Sequence, residues 1–326
     1  IESDFYGSGG VVTILEKEFA ELTGKEKAIY LPTGTMANQL ALRLLNANNT
    51  KAIVPENSHI YRDEADAAQS VHRMRLVPSG DGKPYFTVDD LKATIDYLEK
   101  GEVFKSGLGT VAIENPVRRA DGAFVSLSTI KDISKFCKEK GLKMHLDGAR
   151  IHLASFYTGV SIKEYASYFD TVYISLYKYL HADGGAMLCG DAEVIDQVLH
   201  QIKIHGGSIY KNWNNTSMAL NMLEGLEDRW KKVLVNAENL INQLNKIDQV
   251  TITKLENGTN IHKLAIKETI DVNKMAKSLA DDFGILINPR VDEKGFINFF
   301  INESLLRREV GDLLASWQKA IKKSVF

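Results

Sequence analysis

Asp147, Arg150 and Lys178 are the residues of this chain whose types and spacing could do chemistry. Asp147 ends an apolar run in Met144–Arg150 (MHLDGAR), where a small Gly148-Ala149 step separates the acid from the cation. Lys178 follows TVYISL (171–176), a stretch rich in β-branched and aromatic residues that reads as a buried strand, and stands between Tyr177 and Tyr179. In open α/β sheets ligands bind beyond the carboxyl ends of the strands. A lysine and an acid at two such ends, both among apolar neighbours, is what a pyridoxal phosphate site needs: the lysine for a Schiff base, the acid for the ring nitrogen. Taken singly, each residue also has a plain reading, as a solvated strand-end lysine, a turn carboxylate or a salt-bridging arginine.

The elements that would position these groups alternate along the chain. Val11, Leu15, Phe19 and Leu22 form a helical stripe that Gly24 closes, and Lys27–Leu31 is a short strand. It runs into Pro32-Thr33-Gly34-Thr35 and a helix with Ala37, Leu40, Ala41 and Leu44 on one face. Free N–H groups at such a junction suit a phosphate, although many α/β loops carry Gly and Thr. Ala52–Val54 leads to Glu56-Asn57-Ser58-His59; a lone His after a strand also serves as a cap or surface residue. Further strands are expected at 75–77 and at 110–114, the latter ending in Glu114-Asn115-Pro116, with helices opened by Thr87 and by Ser128. Strands alternating with helices of about 10–15 residues predict a parallel sheet with crossover helices. Beyond Gly190 the pattern changes. Ala192–Ile204 is helical, Asn212–Asn245 is one long helix or two joined, and strands at VTITKL, IHKLAIK and FINFFI are separated by helices at Asp271–Phe283 and Glu303–Ile321. The expected architecture is α/β, with a large domain over residues 1–230 and a smaller C-terminal α+β domain over 231–326.

Bulk properties narrow the function classes. The 326 residues are 44% hydrophobic and 25% charged, the profile of a globular protein long enough for two domains. A formal net charge of −2 argues against a broad nucleic-acid footprint. No run approaches the ~20 apolar residues of a membrane helix. The opening carries no signal-like segment, and the absence of an initiator Met leads us to expect residues before Ile1. Cys137 and Cys189 have neither metal nor redox spacing and read as core thiols in a reducing, cytoplasmic setting; no metal site is expected.

Together DFYGSG, LTGKEKAIYLPTGTMAN, the His59 segment, IENP, HLDGARI and SLYKYL, in this order over most of the chain, resemble the threonine aldolase and β-eliminating lyase branch of the fold type I pyridoxal phosphate enzymes. The resemblance implies a fold type I transferase-like large domain and retro-aldol cleavage of a β-hydroxy-α-amino acid, of threonine or allo-threonine type, to glycine and an aldehyde. It implies pyridoxal 5′-phosphate on Lys178, with Asp147 at the ring nitrogen, Gly34 and Thr35 at the phosphate, and His59 over the ring, placed to take a β-hydroxyl proton. Arg150 would grip the substrate carboxylate. Lys203, Gly206 and Gly207 would form a loop reaching the neighbouring subunit's site in a homodimer or homotetramer.

The chain departs from that pattern at three places. Pro116-Val117 stands where threonine-cleaving relatives often carry Thr-His. GFINFFIN lacks the Arg that shares the substrate carboxylate, with Arg290 the nearest, and the family's opening segment is missing. These touch substrate choice and leave open β-elimination on another amino acid, or a non-catalytic protein of the same fold. No GxGxxG follows the first strand to favour a dinucleotide.

Overall fold

A computed structural model describes residues 2–326. Its contacts divide into two units, Ile1–Glu224 and Gly225–Phe326. A division at 230/231 would cut a helix; the break falls instead at Glu224-Gly225, where Gly225 takes φ 65° and separates two helices.

The first unit is a seven-stranded sheet in the order β1-β7-β6-β5-β4-β2-β3. The strands are β1 (Lys27–Leu31), β2 (Lys51–Pro55), β3 (Arg75–Ser79), β4 (Leu108–Glu114), β5 (Lys143–Asp147), β6 (Thr171–Ser175) and β7 (Ala186–Gly190). Pairs from β3 through β6 are parallel, as the alternating pattern predicts. β7 runs against both of its neighbours, so β1 points the same way as β6. The ten residues between β6 and β7 explain the reversal, because a parallel return needs a crossover of a dozen or more. Six strands therefore end on one edge of the sheet, and residues placed just beyond those ends converge.

Helices α1 (Gly10–Thr23), α2 (Gly34–Asn46), α3 (His59–Arg62), α4 (Ala67–His72), α5 (Val88–Gly101), α6 (Leu127–Glu139), α7 (Ile151–Thr158), α8 (Ile162–Ala166), α9 (Ala192–Ile204) and α10 (Trp213–Leu223) complete this unit. Their starts follow local chemistry. Thr33 caps α2 by accepting the Met36 N–H, Ser58 caps α3, and Thr87 with Asp90 forms a reciprocal capping box on α5. The cap of α6 is Ser126 rather than the expected Ser128: its hydroxyl accepts the Thr129 N–H at 3.1 Å. α2 is buried along most of its length, and its Leu40 and Ala41 pack with Tyr173 and Leu188 of the central strands.

In the second unit β8 (Val250–Lys254), β9 (Ile261–Ile266) and β10 (Ile297–Phe300) make an antiparallel sheet in the order β10-β9-β8. It carries α11 (Leu226–Leu244), α12 (Val272–Phe283) and α13 (Val310–Lys323). The stretch expected to be one helix from Glu303 splits into a 3₁₀ turn at Glu303–Leu306 and α13, which starts only at Val310. Trp230 on α11 and Trp317 on α13 are among this unit's most deeply buried side chains.

Candidate active site

Asp147, Arg150 and Lys178 sit at the edge where the strands end. Asp147 is the last residue of β5 and is buried at 2% exposure. Its Oδ1 accepts the Ala149 N–H at 3.1 Å and its Oδ2 accepts from Asn38 Nδ2 at 3.0 Å. The small residue after it has a physical cause: the Gly148 N–H donates to the Tyr173 carbonyl of β6, and an added Cβ would lie 2.9 Å from that same oxygen. Arg150 follows as the cap residue of α7, with its guanidinium beside the Tyr179 hydroxyl. Lys178 lies three residues past the end of β6, with its Nζ 5.5 Å from the centre of the Tyr177 ring.

These groups share one cavity of about 370 Å³ with Gly34, Thr35, His59, Glu64 and Glu114. Gly34 and Thr35 reach it because α2 begins directly beyond β1, presenting the first turn of the helix. A side chain at position 34 would collide with the Tyr173 hydroxyl, so α2 can lie this close to β6 only with glycine there. Lys203, Gly206 and Gly207 are not part of the cavity wall: Lys203 lies in the last turn of α9 with its Nζ 5.5 Å from the Tyr6 ring, and Gly207 packs on Met36. Pro116 and Val117 are not part of it either, and Val117 is fully buried.

The electrostatics are those of a largely buried pocket with mixed charge. Burial, reinforced by Arg150, pushes the Lys178 amine down to about 8 against the pull of Asp147 and Glu114. The hydrogen bond to Glu64 holds the His59 imidazole above its ordinary value despite burial, with Asp147 and Glu114 acting in the same direction. Burial in turn raises the Glu64 and Glu114 carboxyls. His59 Nδ1 lies 2.9 Å from Glu64 Oε1, which leaves Nε2 as the ring nitrogen free to act in the pocket. Glu114, at the end of β4, accepts the backbone N–H of His59 at 2.6 Å and of Arg118 at 2.7 Å, fixing the loop that carries the imidazole.

Sequence reasoning passed over Glu64, Asn38, Tyr173 and Tyr179 as site residues. Asn38 stands inside the helix-opening motif, where no spacing singles it out; Glu64, five residues after His59, has no local signal beyond that spacing.

A family model for beta-eliminating lyases matches residues 1–269. The chain belongs to the beta-eliminating lyase family. It is 33% identical over 213 residues to the low-specificity L-threonine aldolase of Candida albicans, an alignment that takes in 64% of this chain and 56% of that one. It is 29% identical over 245 residues to the low specificity L-threonine aldolase of Saccharomyces cerevisiae, with 73% and 60% covered. The chain thus spans between half and two thirds of the length of these relatives. Its fold is that of a Listeria monocytogenes protein described as a candidate L-allo-threonine aldolase, with a TM-score of 0.82, 24% identity, and 99% and 89% of the two chains covered. The cofactor of this fold type I site is pyridoxal phosphate, and the donor set fits it. The cavity holds an amine of lowered proton affinity, a buried carboxylate, a helix start that tolerates no side chain at Gly34, and a guanidinium.

Proposed function

We propose that this protein cleaves a β-hydroxy-α-amino acid, threonine or allo-threonine, to glycine and an aldehyde with pyridoxal phosphate. The observation that carries the reading is the convergence of Lys178, Asp147, Arg150 and His59 on one cavity at the sheet edge. Bound there, the cofactor supplies an electron sink for breaking the Cα–Cβ bond. Lys178, with its amine near 8, offers an uncharged nucleophile for attachment close to neutral pH. Asp147 pairs with the ring nitrogen, and Gly34 and Thr35 hold the phosphate. The Arg150 guanidinium, steadied by Tyr179, takes the substrate carboxylate with two N–H groups. His59 removes the β-hydroxyl proton through Nε2 while Glu64 holds Nδ1. With Val117 buried away from the cavity, that task falls to His59 without a second histidine.

Assays of purified protein with L-threonine and L-allo-threonine test the reaction. Glycine with acetaldehyde supports it; pyruvate with ammonia would replace it by β-elimination. A base works only in its neutral form, and His59 is held above the ordinary ~6.5 of histidine. The acidic limb of kcat/KM is therefore expected above that value. Glu64→Gln removes the group that favours the imidazolium, so the limb should move to lower pH; an unmoved limb rules His59 out as the titrating base.

The active form on this reading is a homo-oligomer, a dimer or a tetramer, with the loop carrying Lys203, Gly206 and Gly207 facing a neighbouring site. Phe5, Tyr6 and Tyr210 support it: they pack edge to face at 5.3 Å yet remain 59%, 52% and 53% exposed, beside exposed Ile204 and Ile209. An exposed aromatic cluster of this kind suits a second copy. Tyr210→Glu is expected to lower the mass measured by light scattering toward that of the monomer; an unchanged mass places the interface elsewhere. Among the described residues no helix is long and apolar enough to cross a membrane. Cys137 and Cys189, both free and buried, suit the cytoplasmic setting included in this reading.

A further inference from the structure

We propose that Asn38 is a positioning residue whose single amide nitrogen clasps the carboxylates of Asp147 and Glu64, its orientation locked from behind by His145 and Thr171. The inference rests on the cofactor reading above and adds to it a residue that touches neither cofactor nor substrate. Asn38 is fully buried on α2, one turn beyond Gly34. Its Nδ2 lies 2.7 Å from Glu64 Oε1 and 3.0 Å from Asp147 Oδ2, so each amide hydrogen meets one carboxylate. Both contacts need the nitrogen, which turns Oδ1 toward His145 Nε2 at 3.0 Å.

That orientation fixes everything behind it. Since Oδ1 can only accept, His145 Nε2 must carry its hydrogen. Burial drives His145 down to about 4, so the ring is neutral and its Nδ1 keeps a lone pair. Nδ1 lies 2.9 Å from Thr171 Oγ1, whose hydroxyl therefore donates. One donor direction runs from Thr171 through His145 and Asn38 to the two carboxylates, across β6, β5 and α2. His145 and Thr171 are fully buried, so no water competes for these partners.

The clasp has two consequences. Oxygens of Glu64 and Asp147 and a ring nitrogen of His59 all lie within 4.8 Å of one another. Carboxylates this close repel in a dry site, and the two amide hydrogens between them offset that repulsion. The same bond ties α2, which carries Gly34 and Thr35 to the phosphate end, to β5, which carries Asp147 to the ring end. Asn38 thus sets the span the cofactor must fit.

The test is the dissociation constant for pyridoxal phosphate, measured by equilibrium dialysis, together with the visible spectrum and the melting temperature. Asn38→Ala removes both donors and should weaken cofactor binding about tenfold or more. Asn38→Asp keeps the shape but sets an oxygen against two carboxylates, and should bind more weakly still than Asn38→Ala. A residue that only fills space would show the opposite order. Asn38→Asp within twofold of the parent would falsify the inference. Should that variant fail to fold, His145→Gln, which can still donate to Asn38, is expected near the parent while His145→Leu binds more weakly; equal affinities overturn the clasp. A parent that takes up no pyridoxal phosphate overturns the cofactor reading and the inference with it. A parent that takes it up, with either overturning result above, sinks the inference alone.

Discussion

Lys178→Ala is expected to lose the visible absorption of the protein-bound cofactor and to lower the cleavage rate by on the order of 10³-fold or more, the scale seen when a covalent group is deleted. The reason is local. Among the described residues Lys178 is the one lysine on the cavity wall, and burial leaves its amine at about 8 instead of its ordinary value. The uncharged amine attaches the cofactor, and its fraction falls about tenfold per pH unit below that pKa. Uptake of pyridoxal phosphate by the cofactor-free parent should therefore speed up as pH rises toward 8 and level off above it. The alanine variant should show no such limb. Retention of the parent's absorption band by the variant would move the attachment to another lysine and remove the central residue of the proposed function.

Asp147→Asn is the second large effect, and it should look different. The substitution keeps the shape but makes one of the two acceptor atoms a donor. Oδ1 now accepts from Ala149 and Oδ2 from Asn38, so either orientation of the new amide sets a donor against a donor in a site at 2% exposure. An unsatisfied buried group of this kind costs about 1–3 kcal/mol. The variant also removes the carboxylate proposed to pair with the ring nitrogen. The rate is expected to fall about 10²–10³-fold, the range for deleting one preorganised electrostatic partner, while Lys178 still binds the cofactor and the absorption band persists. A band kept with the rate lost separates the acid's role from the lysine's. A variant with the parental rate would reduce Asp147 to a structural turn residue.

These two residues were legible without coordinates because their signals are local. A strand can be read from β-branched and aromatic residues, and the position just past it lies at the sheet edge whatever the rest of the chain does. Lys178, Asp147 and Arg150 all lie within a few residues of such a strand end, and Gly34 and Thr35 lie where β1 turns into α2. The helix starts at Thr87 and Asp271 and the stop at Gly24 were legible for the same reason, since a cap is a contact between near neighbours.

The sequence by itself thus determined the α/β order of the large unit, the edge where chemistry happens and the residues carried there on strand ends. Only the tertiary structure decided which side chains meet across elements. Asn38 and His145 are 107 residues apart and His145 and Thr171 are 26 apart, yet they form one donor chain. Glu64 becomes the partner of His59 because the fold buries its carboxyl beside a half-buried imidazole. The reversed direction of β7 and the break at Gly225 are likewise set by a short connection and by a backbone angle, neither of which leaves a periodic mark in the residues. Periodicity and caps report what a segment does to itself. A hydrogen bond between distant buried groups depends on where the fold puts them, and that is fixed only when the sheet and α2 pack together.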